Sequence, residues 1–112
     1  MDLPAARQHR NLLFDFYGAL LTERQREVFS MHHMEDCSLA EIGAGIGVTP
    51  QAVADLLKRS LGRLNRYEAK LGLVAKYAAH RDTINELHNA LAELEDSAPV
   101  TRIRELVDTL SM

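Results

Sequence analysis

The chain has 112 residues, with 13 Lys and Arg against 16 Asp and Glu, a formal net charge of −3, one cysteine and no tryptophan. That length fits one small helical domain with an extension. The lone Cys37 excludes an internal disulfide, and the apolar run Leu12-Leu13-Phe14 is broken by Asp15 long before it could span a bilayer.

The start, Met1-Asp2-Leu3-Pro4, has neither the charged opening nor the apolar run of a secretory signal, so a cytoplasmic protein without a membrane partner is expected. Leu12 to Leu21 then reads as a helix, with Leu13, Phe16, Tyr17 and Leu20 on one face and Leu12, Phe14 and Leu21 widening it. Thr22-Glu23-Arg24-Gln25 has the spacing of a capping box. It predicts a second helix in which Val28, Phe29, Met31 and His32 continue an apolar side as far as Glu35-Asp36.

The stretch from Ser38 to Ala54 has the spacing of a helix-turn-helix. Ser38 and Glu41 form another capping box, so a short helix starts at about Leu39. Ile42 and Ile46 present one apolar edge, and Gly43 between them removes a side chain where the next helix must cross. Gly47 supplies a left-handed turn, Val48 is expected to plug the angle between the helices, Thr49 is an N-cap and Pro50 suits the first helical position. Val53, Leu56 and Leu57 then point back at the first helix of the pair, leaving Gln51, Asp55, Lys58 and Arg59 facing out.

Charge distribution offsets the acidic total. From Pro50 to Leu71 the cations Lys58, Arg59, Arg63, Arg66 and Lys70 outnumber Asp55 and Glu68. Arg59, Arg63, Arg66 and Lys70 recur at steps of four and three, a stripe that could follow a phosphate backbone or serve as a solvated face. Gly72 stops or kinks the helix, which places a helix-turn-helix domain at residues 1–72 and an amphipathic helical extension at 73–112.

In the extension Tyr77, Ile84 and Leu91 are spaced by seven, as are His80, Leu87 and Leu94, giving alternating a and d positions over three heptads. This stripe either pairs with the same helix of a second subunit or packs on the first domain. After Asp96-Ser97-Ala98-Pro99 a final helix, Val100 to Leu110, sets Ile103, Leu106, Val107 and Leu110 on one side, as a fold-back cover.

Other chemistry finds little support. His32, His33, Glu35, Asp36 and Cys37 crowd one helix end, but adjacent histidines on a helix diverge and no zinc-ligand spacing is present, so neither a metal nor another cofactor is expected. Cys37 beside two acids is a poor nucleophile, and Gly43, Gly45 and Gly47 lack the Lys and Ser or Thr of a nucleotide-binding loop. Those glycines are expected to serve turn-making and close packing.

Phe14-Asp15-Phe16-Tyr17-Gly18-Ala19-Leu20-Leu21-Thr22-Glu23-Arg24-Gln25-Arg26-Glu27, Ser38-Leu39-Ala40-Glu41-Ile42, Val48-Thr49-Pro50-Gln51-Ala52-Val53 and Lys58-Arg59 closely resemble the YlxM family of small bacterial proteins. The resemblance covers about two thirds of the chain and extends more widely to the fourth region of bacterial sigma factors. It implies an all-α, nonenzymatic DNA-binding protein linked with the signal recognition particle pathway, whose genes such proteins neighbour and whose GTPases or RNA they influence. It also implies that Thr49, Gln51, Ala52, Asp55, Lys58 and Arg59 fall on a recognition helix. Pro50 departs from the family's usual arginine, and Ala54 stands where a larger aromatic residue is common. Three readings follow: a dimeric DNA-binding regulator of signal recognition particle genes, with Arg63 and Arg66 added to the phosphate contacts; an accessory protein that contacts the particle's protein or RNA; and a dimer adaptor.

Overall fold

The computed structural model describes residues 4–111; the opening Met1-Asp2-Leu3 weighed as a leader lies outside them. Among the described residues the fold is all-α, with six helices: α1 Pro4–Tyr17, α2 Glu23–His33, α3 Leu39–Ile46, α4 Pro50–Leu71, α5 Leu73–Ala92 and α6 Ala98–Leu110. None is long and apolar enough to cross a membrane. The chain divides into two compact units, one running to Val74 and the other beginning at Ala75.

The first helix starts at Pro4, well before the apolar pattern at Leu12. Its opening turns, rich in Ala, Arg and Gln, favour helix without burying a stripe, so periodicity did not report them. At its other end α1 gives way to a 3-10 turn, Gly18–Leu20, and the backbone is extended at Leu21. That change swings Leu21 into the core and leaves Leu20 and Phe16 exposed, against the single face expected from helical spacing. Leu13 and Tyr17 keep the inward phase.

Both capping boxes form. Thr22 Oγ1 accepts from Gln25 N, and Gln25 Oε1 accepts in return from Thr22 N; Ser38 and Glu41 repeat the arrangement. The α2 helix ends at His33 rather than Asp36, because Cys37 N closes on Met31 O at 2.9 Å and Asp36 takes a left-handed conformation with φ 56°. Aspartate tolerates that region better than most side chains.

The long α4 is the spine of the first unit and packs against α1, α2 and α3. Val53, Leu57, Ser60 and Leu64 form its buried stripe. Ser60 is accommodated there because its hydroxyl donates to Leu56 O at 2.8 Å. Leu13, Tyr17, Val28, Phe29 and Ile42 complete the core from the other helices, and the Phe14 and Phe29 rings stack at 4.9 Å. Burial of each large apolar side chain contributes about 1.5–3 kcal/mol.

Gly72, with φ 64°, ends α4. The start of α5 is capped from elsewhere in the first unit: Leu73 N donates to the Tyr17 hydroxyl at 3.0 Å and Val74 N to Glu68 Oε1 at 3.0 Å. Tyr17 in turn donates to Glu68 Oε1 at 2.6 Å. Burial, reinforced by the Glu68 carboxylate, raises the Tyr17 hydroxyl above the ordinary tyrosine pKa.

In the second unit α6 folds back on α5. Arg104 donates to Leu91 O at 3.0 Å and pairs with Asp96, while His88 Nε2 lies 3.2 Å from Ser111 Oγ. Ser97 caps α6 through Val100 N. Leu91 and Val107 are the buried apolar residues among those described in this unit. Of the expected heptad positions, Tyr77, His80 and Leu87 are exposed on α5, Ile84 is half-buried and Leu91 is buried within the unit. Leu94 falls beyond the end of α5 at Ala92, where Leu94 N turns back onto Leu91 O, so the helical stripe stops short of the three heptads that the spacing suggested.

Candidate nucleic-acid interface

The helix-turn-helix is built from a rigid corner. Ser38 caps α3, Gly47 ends it with φ 77°, and Gly47 N and Val48 N both donate to Gly43 O. Thr49 Oγ1 then accepts from Ala52 N at 3.1 Å, and Pro50 opens α4. Gly43 is the pivot. A Cβ there would lie 2.5 Å from Val48 O and 3.4 Å from the Thr49 carbonyl carbon. The backbone at Val48 therefore fills the crossing, whereas its side chain is 41% exposed and does not plug the angle as expected. Gly45 faces open space and has no packing duty.

This corner presents the first half of α4 to solvent. Thr49, Gln51, Ala52, Asp55, Lys58 and Arg59 are all exposed. At roughly 100° per residue, Gln51, Asp55, Lys58 and Arg66 cluster opposite the buried stripe, with Arg59 beside them. Glu41 strengthens the base of the corner: hydrogen bonds from the Ser38 backbone and hydroxyl hold its carboxyl below the ordinary glutamate pKa.

The sequence model of the family described as "Putative helix-turn-helix protein, YlxM / p13 like" matches residues 5–103. A UPF0122 protein of Symbiobacterium thermophilum is 48% identical over 87 residues, covering 78% of this chain and 81% of the relative. One of Halalkalibacterium halodurans is 40% identical over 100 residues, covering 89% and 92%. The chain belongs to the UPF0122 family.

Within this UPF0122 fold the basic stripe of α4 is not uniform. Arg59 Nε lies 3.0 Å from Asp55 Oδ2, with both side chains more than half exposed. Lys58, Arg66 and Lys70 are exposed and form no ion pair among the described residues. Arg66 lies over Gly62, where an added Cβ would sit 3.5 Å from Nη1. Arg63 is different. It is half-buried on the flank facing α2, where Nη1 donates to Gln25 Oε1 at 3.0 Å and Nη2 donates to the Tyr67 hydroxyl at 2.9 Å. Its guanidinium is 5.9 Å from the Tyr67 ring centroid. Arg63 thus ties α4 to the start of α2, and the stripe open to a ligand is narrower than the sequence spacing suggested.

Two features of this fold had no reading in the sequence. Gln25 holds the flank of α4 through Arg63, and no local spacing links residues 38 positions apart. A basic pocket gathers Arg7 and Arg10 of α1 with His32 and His33 of α2. The signal for it was the three-residue step between the arginines, inside a helix that the apolar pattern missed. Among the described residues no three His, Cys, Asp or Glu side chains converge as metal ligands.

Proposed function

We propose that this UPF0122 protein binds double-stranded DNA through the exposed face of α4 and acts as a regulator of signal recognition particle pathway genes. The observation that carries the reading is the capped α3–α4 corner, which presents Gln51, Lys58, Arg59 and Arg66 to solvent from one rigid helix. A helix so presented fits the major groove. Gln51 is the residue suited to a base edge, and Lys58, Arg59 and Arg66 would neutralise phosphates. Thr49 and Ala52 bring the start of α4 close to the backbone, Asp55 modulates Arg59, and Arg63 contributes by holding the helix in place.

The proposed DNA-binding unit is a homodimer paired through Tyr77, His80, Ile84 and Leu87 of α5, with Leu94 just beyond the helix end; Leu91, already buried within its own hairpin, is left out of this seam. A two-helix unit this small cannot enclose a core unaided. Tyr77, Leu87, Leu94, Ile103, Leu106 and Leu110 are 37–65% exposed, so a second copy of the same hairpin supplies the missing apolar surface. Sedimentation should show a dimer at micromolar concentration that Leu87→Asp dissociates; a monomeric wild-type chain removes this part of the proposal.

Binding to duplex DNA spanning the upstream region of the chain's own operon should weaken steeply as salt rises, and Arg59→Glu with Arg66→Glu should abolish it. Absent or salt-independent binding sinks the reading. A second reading, an accessory protein contacting the particle's GTPase or RNA, is favoured by Pro50 at the start of α4 and by the engagement of Arg63, which together leave few free cations. Particle GTPase rates with and without the protein separate the two, since a DNA-binding regulator alone leaves them unchanged.

A further inference from the structure

At roughly 100° per residue, Gly62 lies opposite the buried Val53, Leu57, Ser60 and Leu64 of α4, on the ridge shared by Gln51, Asp55, Lys58 and Arg66. Packing does not call for a glycine there. A Cβ at Gly43 would strike the Val48 carbonyl, whereas one at Gly62 would meet only Arg66 Nη1, at 3.5 Å, among the described residues outside its own helix backbone. Glycine is also among the poorest helix formers, so helix stability does not explain its place inside a 22-residue helix.

What the glycine leaves is a notch in the outward ridge, and the Arg66 side chain occupies it. Arg66 comes from one turn further on, and its Nη1 reaches back to the level of residue 62. Gly62 is accordingly half-buried although it faces outward, while Arg66 is exposed and forms no ion pair among the described residues. At 1.5 Å per residue, folding back by four positions moves the charge about 6 Å towards Lys58. No Asp or Glu stands between Lys58 and Arg66. Asp55, the acid before them on this ridge, is paired with Arg59.

We infer that Gly62 is a positioning residue: its notch holds the Arg66 guanidinium against α4, where it grips one phosphodiester at the rim of the major groove. The inference rests on the DNA reading of α4. With Gln51 against the base edges, Gly62 lies about 16 Å further along the helix, more than the groove's width of about 12 Å. That level of α4 therefore meets the sugar–phosphate backbone rather than bases. A guanidinium offers planar, forked donors that match phosphate oxygens, and one already held against the helix loses less freedom when it binds. The missing side chain at residue 62 also lets the phosphate approach the helix closely.

The experiment measures duplex binding by fluorescence anisotropy across a salt series, with the upstream DNA of the chain's own operon. It compares the full wild-type chain with Gly62→Ala, Gly62→Leu, Arg66→Ala and the Gly62→Leu, Arg66→Ala double variant. Both Gly62 substitutions should raise the melting temperature, because alanine and leucine favour helix. Gly62→Ala places a Cβ at ordinary contact distance from Arg66 and should bind within about twofold of wild type. Gly62→Leu fills the notch; it should weaken binding about fivefold and lower the salt slope by about one phosphate contact. Arg66→Ala should do the same, and the double variant should bind no more weakly than Arg66→Ala alone.

Wild-type affinity and slope in Gly62→Leu overturn the inference while leaving the DNA reading intact. An equal further loss when Gly62→Leu is added to Arg66→Ala also overturns it, because leucine would then act on the duplex directly and not through Arg66. A wild-type chain without salt-dependent duplex binding removes the DNA reading, and the phosphate grip with it.

Discussion

Arg63 Nη1 donates to Gln25 Oε1, the same oxygen that closes the capping box of α2 by accepting from Thr22 N. One amide oxygen thus links the start of α2 to the middle of α4. Arg63→Ala should lower stability by about 1–2 kcal/mol, since it removes charge-assisted hydrogen bonds at a half-buried position. A double-mutant cycle with Gln25→Ala should return a coupling of about 0.5–1.5 kcal/mol in denaturant unfolding. Additive effects of the two substitutions would show that the contact carries no energy.

Gly43 and Gly45 sit two residues apart in α3 and should respond oppositely to alanine. At Gly43 the new Cβ meets backbone, Val48 O at 2.5 Å, which no rotamer change relieves. Gly43→Ala should therefore destabilise the fold by about 1–3 kcal/mol. Gly45→Ala meets open space inside a helix and should stabilise by up to about 1 kcal/mol. Thermal unfolding of the two variants beside the wild type checks both signs.

The corner from Ser38 to Pro50 was legible because each of its steps is local: a cap, a left-handed glycine and a proline at a helix start act within a few residues. The course of α1 was less so. Its polar opening turns carry helix propensity without periodicity, and the 3-10 turn at Gly18 alters which leucine turns inward. Arg63 illustrates the limit for the site. Its place in a four-and-three stripe is visible along the chain, but its hydrogen bond to Gln25 spans 38 positions and depends on how α4 packs against α2.

Glu41 gives the fold a specific acid sensitivity. Its folded pKa is lowered by hydrogen bonds from Ser38, so the unfolded chain takes up the proton first as pH falls. The capping-box contribution is fully present above the ordinary glutamate range and is lost as pH drops from that range through the lowered folded value. Glu41→Gln keeps an acceptor for Ser38 N and should remove this part of the pH dependence while leaving neutral-pH stability close to wild type. Unfolding midpoints of both chains measured from neutral to acid pH should converge in shape only if Glu41 does not titrate in this way.

Asp55 lies on the exposed face of α4 and holds Arg59 at 3.0 Å. With both side chains largely in water the pair adds about 0–1 kcal/mol at most, so its loss should hardly change stability. Its effect on binding is larger. Asp55 repels phosphate and occupies a cation that would otherwise meet one, so Asp55→Asn should tighten duplex binding about threefold to tenfold and steepen its dependence on salt. The isosteric change keeps helix geometry, which ties the outcome to charge. Fluorescence anisotropy across a salt series decides it: unchanged affinity and slope would mean that this face of α4 does not meet a phosphate backbone.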